Sequence, residues 1–314
     1  MGIAKNIVVG SNQMELVEFF LNHMSKSGIE KQTYYGINVA KVLEIIPLPG
    51  KITKIPGGLP AQYGMILHRE KTLPLINLAY FLDPKQQNID VSEDMVILVA
   101  EFAQIRVGFI VHGAVRILRR SWADIVPVDI PIWGENKSRL IVGTLIVNEK
   151  ESDGVEGQRA GDIILLLDVE AIAEALGFFG HIEAEEDRIQ TEPDKGKVIL
   201  LIDDSKTARN MVARLLTKTG YSVLEATNGQ EGLLVAERAR KIDLVVCDVE
   251  MPIMDGYSFT TAFKNKVAYK NVPVILHSSM SGENNIRRGL SSGASEYVVK
   301  FDPHNITEAV KKLL

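Results

Sequence analysis

Apolar residues fall in short, separated runs through the first half of the chain. They are YYGINVAKVLEII at 34–46, LPLINLAYFL at 73–82, MVILVAEF at 95–102, VGFIVHGAVRIL at 107–118, RLIVGTLIV at 139–147 and DIILLLDV at 162–169. Turn formers such as Pro47, Gly50, Gly57, Gly58, Pro84 and Gly154 punctuate them. Many short strands at this spacing predict β-barrels or a sandwich. One helix is predicted over 168–176, DVEAIAEAL, capped by Asp168 and stopped by Gly177.

From residue 197 the rhythm changes to regular alternation. Apolar strands are predicted at 197–203, 221–226, 243–248, 272–278 and 296–300, and helical spacing at 205–220, 228–240, 255–265, 281–293 and 305–314. Five near-continuous apolar strands, each followed by a helix, predict an α/β fold with a doubly wound parallel sheet. The stretch between the two textures, EAEEDRIQTEPDKGK at 183–197, holds six acids and three bases and has no face to bury. The expected division is a β-rich domain at 1–180, an acidic linker at 181–196 and an α/β domain at 197–314.

Composition narrows the function. A net charge of −5 argues against a nucleic-acid binder, whose domain would carry a basic surplus. The single cysteine, Cys247, cannot form an intramolecular disulfide and fits a reducing compartment. No apolar run approaches the ~20 residues needed to span a bilayer, and the N-terminus carries no secretion pattern. A cytoplasmic protein without direct membrane insertion is expected.

Candidate chemistry lies in DLVVCDVEMPIMDG, 243–256, where a buried strand ends on an acid, Asp248. In a doubly wound sheet the working groups gather at the carboxyl ends of the strands. Strand one of the α/β half ends in Asp203 and Asp204, strand three in Asp248, strand four in Ser278 and strand five in Lys300. Three crowded carboxylates repel one another, and a divalent cation relieves this. Hard oxygen ligands select Mg²⁺ or Mn²⁺. A metal-neutralised Asp248 can attack a phosphoryl group and hold it as an acyl phosphate. The Lys300 ammonium and the Ser278 hydroxyl are placed to bind the phosphoryl oxygens. Taken singly, each residue is an ordinary cap or a solvated charge. Their joint appearance at four strand ends, in order, points to chemistry.

With ILLIDDS, DLVVCDVEMPIMDG, PVILHSS and GASEYVVK, residues 197–314 resemble the receiver domain of two-component response regulators. The resemblance implies that Asp248 is the phosphoacceptor. It implies that Asp203, Asp204, Asp248 and the backbone carbonyl of Glu250 hold the metal. It makes Ser278 and Tyr297 the switch pair and Lys300 the phosphate-binding cation, with Tyr297 turning inward once Ser278 moves to the phosphoryl group. Phe301 stands where such receivers usually carry proline, which leaves the geometry of that loop open. Glu250, two residues past Asp248, is expected to repel an attacking hydroxide and prolong the phosphorylated state.

Residues 14–179 resemble the CheW family of chemotaxis coupling proteins through YYGINVAKVLEII, MILHREKTLPLINLAYFL, VGFIVHGAVRIL with RSWADIVP, RLIVGTLIV and DIILLLDVEAI. The family fold is two five-stranded β-barrels without catalytic residues. The resemblance implies a surface for chemoreceptor or kinase at Val42, Glu44 and Arg69, although Glu44 and Arg69 read equally as an ordinary surface ion pair and Val42 as core. Glu70 stands where the family often has glycine. This order of domains is similar to that of the CheV family. The implied function is a non-enzymatic adaptor between methyl-accepting chemoreceptors and the histidine kinase CheA, with CheW as a further partner, at the membrane-bound receptor array. Phosphorylation of Asp248 in a phosphorelay would regulate it. The alternative is a phosphate sink for CheA localised to the array. A haloacid-dehalogenase-type phosphatase is disfavoured, because the DxDx[TV] pattern is not completed after Asp248.

Overall fold

A computed structural model describes residues 13–24, 30–84, 91–102, 105–126, 128, 140–152, 155, 157–178, 196–278, 283–300 and 303–314. The expected linker falls almost entirely outside them. The chain divides into two compact units, formed mainly by Met14–Val169 and Glu170–Leu314.

The first unit holds two five-stranded sheets. One joins β3 (Val42–Pro47), β4 (Gln62–His68), β5 (Lys71–Asn77), β6 (Val96–Phe102) and β7 (Ile105–Val111) in the order β3-β6-β7-β5-β4. The other joins β1 (Gln13–Met24), β2 (Glu30–Asn38), β8 (Gly113–Ser121), β9 (Ile141–Ile146) and β10 (Ile163–Leu167) in the order β8-β1-β2-β10-β9. Two of the predicted runs are each shared between the sheets. The run at 34–46 breaks at Asn38, whose side chain accepts from Ala40 N at 2.9 Å and caps one 3-10 turn before β3 begins. The run at 107–118 breaks between β7 and β8.

Not every apolar run is strand. Leu78–Leu82 forms a short helix, α1, because the Asn77 side chain accepts from Tyr80 N at 3.1 Å and starts a turn. A further short helix, α2, spans Glu149–Ser152. Strand β1 is absent from the sequence prediction because Glu15 and Glu18 interrupt its apolar pattern. Glu18 is nonetheless fully buried, with its carboxylate accepting from Arg116 Nε at 2.8 Å and from the Gln158 amide. Buried polar groups persist where they are paired in this way.

The predicted helix near 168–176 forms as α3 (Val169–Ala175), ended by Gly177 in a left-handed conformation. Beyond it, the second unit carries the parallel sheet β12-β11-β13-β14-β15. These strands are β11 (Val198–Ile202), β12 (Ser222–Ala226), β13 (Leu244–Asp248), β14 (Val274–Ser278) and β15 (Glu296–Val299). The helices are α4 (Lys206–Lys218), α5 (Gly229–Arg238), α6 (Gly256–Lys264), α7 (Glu283–Ser291) and α8 (Pro303–Leu313). Every residue of β13 and β14 is buried, which is why their sequences read as unbroken apolar runs. Ile199, Leu201, Val246 and Ile275 pack with Leu215, Leu216 and Val310 from α4 and α8. This core fixes the strand ends on which the site is built.

Candidate phosphoacceptor site

Asp248 closes β13 and is 3% exposed. Its Oδ1 accepts from Glu250 N at 3.2 Å, and its Oδ2 accepts from Lys300 Nζ at 2.7 Å. Asp203 follows β11, with Oδ1 accepting from Ser205 N at 2.9 Å and Oδ2 lying 2.8 Å from Lys300 Nζ. Lys300 follows β15, is 2% exposed, and its amide donates to Ser278 O at 2.8 Å. One buried ammonium therefore bridges carboxylates carried by two different strands.

Carboxylate oxygens of Asp203, Asp204 and Asp248 lie within 4.8 Å of one another. Burial pushes the Asp203 carboxyl up to about 7, with the Asp248 charge adding to the effect and Lys300 opposing it. Asp204 is raised too, first by burial and then by Asp248 and Asp203. Burial would lower Lys300, but Asp203 and Asp248 together overcome it and hold the ammonium charged well above its ordinary range. Three carboxylates gathered beside one ammonium are a donor set that a hard divalent cation would complete. The all-oxygen donor set fits Mg²⁺. Cys247 is buried, and burial followed by the charge of Asp248 raises its thiol far above the ordinary range, so it is packing rather than a nucleophile.

Ser278 closes β14 and is fully buried, and Tyr297 on β15 is half-buried beside it. The two hydroxyls are hydrogen-bonded. Phe301 lies outside the described residues.

Sequence reasoning passed over two supports of the site. Gly256 allows α6 to start against the phosphoacceptor, since a Cβ there would sit 2.1 Å from Asp248 O. Arg209 Nη1 donates to Asp203 O at 2.7 Å and fixes the acidic turn. Gly256 is visible in the motif, but nothing local distinguishes Arg209 from a solvated arginine. The loop between β13 and α6 is strained, because Ile253 adopts φ 68° while Met254 N bonds back to Pro252 O at 2.7 Å.

In the first unit Glu44 and Arg69 meet. Arg69 Nη2 lies 2.9 Å from Glu44 Oε2, and His68 Nε2 lies 3.2 Å from Glu44 Oε1. Arg69 and Glu70 adopt φ 46° and 64°, so the β4–β5 turn forms with glutamate in a left-handed position. Val42 is fully buried at the start of β3, so its side chain is core and offers no surface contact. The exposed apolar group here is Leu67, 76% exposed, one residue before His68.

Comparison with known proteins places both units. A CheW-like domain model matches residues 28–176, and a response regulator receiver domain model matches residues 199–311. Chemotaxis protein CheV3 of Helicobacter pylori is 33% identical, over 96% of this chain and 95% of its own length. The chain belongs to the CheV family of chemotaxis proteins. CheV1 of the same organism is 24% identical over 97% of this chain and 94% of its own. Among solved structures, the Thermotoga maritima response regulator TrrA, in complex with Mg²⁺-BeF, is 36% identical over 38% of this chain and all of its own, with a TM-score of 0.35. CheV-family chains join a coupling domain to a receiver and act as signalling adaptors. Among the described residues no helix is long and apolar enough to cross a membrane.

Proposed function

We propose that this chain couples methyl-accepting chemoreceptors to the histidine kinase CheA, and that phosphorylation of Asp248 modulates the coupling. Residues 1–180 dock in the receptor array at the cytoplasmic membrane face, beside CheW. Residues 181–196 link them to the receiver at 197–314. The observation that carries the reading is Lys300, whose buried ammonium touches both Asp203 and Asp248 beside a third carboxylate, Asp204. A structural ion pair needs one acid, and three acids around one cation leave room for a second positive charge.

Asp203, Asp204, Asp248 and the Glu250 carbonyl would hold Mg²⁺, with Mn²⁺ as a substitute. The ion supplies charge neutralisation for an incoming phosphoryl group. A carboxylate oxygen of Asp248 attacks phosphorus as the nitrogen–phosphorus bond of the kinase phosphohistidine breaks. Lys300 shifts its contact to a phosphoryl oxygen, and Ser278 donates to another. Glu250 disfavours an approaching hydroxide, so the acyl phosphate outlasts the transfer. On the coupling half, Arg69, backed by the buried Glu44 and by His68, forms the charged part of the partner surface, and Leu67 forms its apolar part.

Receptor-stimulated kinase activity, compared for the wild type, Asp248→Ala and residues 1–180 alone, tests this. We expect Asp248→Ala to couple in one fixed state, insensitive to phosphoryl donor. If it tracks the wild type under phosphorylating conditions, the switch is refuted. Unchanged coupling with rapid phosphate release would instead identify a phosphate sink.

A further inference from the structure

Helix α3 lies within the CheW-like match, which runs to residue 176, yet from Glu170 onward it falls in the same compact unit as the receiver. One bond clips it there. Thr207 Oγ1, in the first turn of α4, donates to Glu174 Oε2 at 2.9 Å. Thr207 is buried and stands three residues past Asp204. One turn before Glu174, on the same face of α3, comes Glu170, which is 3% exposed. Packing alone would be met there by an apolar residue, as Ile172 and Ala173 meet it on the same helix. A buried acid is costly unless opposite charge is at hand, and α3 carries no basic residue. The charge of Glu170 instead helps to hold Lys300 protonated and adds to the repulsion on Asp203 and Asp204.

Glu170 therefore responds to whatever occupies the acidic cluster. A divalent cation there adds two positive charges and draws the fourth acid in. An acyl phosphate on Asp248 exchanges one negative charge for about two and takes Lys300 toward the phosphoryl oxygens. Glu170 then loses counter-charge and meets more repulsion. Little opposes its departure, because Glu174 is exposed and its bond to Thr207 competes with water. A helix of seven residues has little stability of its own, so α3 keeps its form only while docked.

We propose that α3 is an acidic latch on the phosphoacceptor site, clipped by Glu174 to Thr207, which a cation holds closed through Glu170 and an acyl phosphate on Asp248 opens. It rests on the phosphoacceptor reading above and adds to it the segment on which the receiver acts. Asp168 alone separates α3 from β10, the strand that pairs with β2 and β9. An opened latch therefore acts on that sheet through the chain itself.

Hydrogen exchange of the full chain tests the latch, read on peptides covering 169–178, where the amides of Leu176, Gly177 and Phe178 bond to α3 carbonyls. The states compared are chelator, Mg²⁺, and Mg²⁺ with beryllofluoride, whose uptake is followed by fluorine resonance. In the wild type, Mg²⁺ should slow exchange, and beryllofluoride should speed it about five-fold over Mg²⁺ alone, the factor that one lost hydrogen bond corresponds to. Glu170→Gln keeps the clip and removes the charge, so beryllofluoride should change its exchange less than about two-fold. Thr207→Val keeps the charge and removes the clip, so it should exchange about five-fold faster than the wild type in Mg²⁺ alone. A wild type that binds beryllofluoride without any change in α3 overturns the latch, and so does a full response in Glu170→Gln. If Glu170→Gln does not fold, Thr207→Val decides, and wild-type exchange in that variant overturns the latch. A wild type that takes up no beryllofluoride refutes the phosphoacceptor reading itself, and the latch falls with it.

Discussion

Asp203 makes the affinity of the site for Mg²⁺ depend on pH. Its carboxyl is pushed up to about 7, chiefly by burial. The ion binds the carboxylate, not the acid. With that midpoint about a tenth of the molecules present an ionised Asp203 at pH 6, about half at pH 7 and about nine tenths at pH 8. The apparent association constant should therefore rise about ten-fold between pH 6 and pH 8, or ~1.4 kcal/mol. Asp204 is shifted in the same direction and steepens the rise.

Stability follows with the opposite sign before metal is added. A carboxyl whose folded value lies above its ordinary value favours the folded state in acid, and that contribution fades as pH rises from about 4 to about 7. Mg²⁺ removes the penalty, so its stabilising effect should be larger at pH 8 than at pH 6. Calorimetric titration of the full chain at pH 6, 7 and 8, at constant ionic strength, measures the first effect, and the Mg²⁺-induced change in Tm measures the second. Asp203→Asn should bind more weakly with a shallower pH slope. An affinity constant within two-fold across this range would refute the account of the acidic cluster.

Lys300→Ala should destabilise the metal-free receiver by about 3 kcal/mol, because it leaves Asp203 and Asp248 without their shared counter-charge. Urea unfolding in chelator checks this, and Mg²⁺ should restore part of the loss. Glu18→Gln should cost the coupling unit about 3 kcal/mol, since it strips the buried partner from Arg116. A loss below ~1 kcal/mol in denaturant titration would show the pair to be dispensable. Ile253→Gly should stabilise by about 1 kcal/mol, because a β-branched residue at φ 68° in a tight turn gives way to one without a Cβ, with little apolar burial lost. An unchanged Tm would argue that the loop carries no strain.

The receiver was legible because a parallel sheet covered on both faces forces its strands into continuous apolar runs. Every predicted strand and helix there forms, with ends displaced by a residue or two. Its site was legible because strand ends place Asp203, Asp248, Ser278 and Lys300 on one edge, whatever the side chains do. The coupling half hid more. Its strands exchange sheets in mid-run at Asn38 and near His112, and periodicity does not report which sheet a strand joins. Strand β1 was obscured by Glu18, an acid that only a distant arginine makes tolerable inside a core. Val42 and Leu67 show the same limit, since both are apolar residues in strands and only register decides that the first is core and the second surface. Tyr257 left no trace, because its position reads as apolar packing and its hydroxyl donates to Asn285 O on another helix.

The placement of rigidity explains how such a site can signal. Asp248 ends a strand with no exposed residue, between β11 and β14, so little that happens at its carboxylate can move the sheet. Ser278 and Lys300 are equally fixed at their backbones, the second tied to the first by a 2.8 Å amide bond. Among the receiver helices, α7 buries a single described residue, Gly289, whereas α6 buries five. A hydrogen bond is worth only about 1 kcal/mol net, too little to shift a packed core. A charge added at Asp248 therefore has an effect where packing is thinnest, and the stiffness of the sheet steers it there.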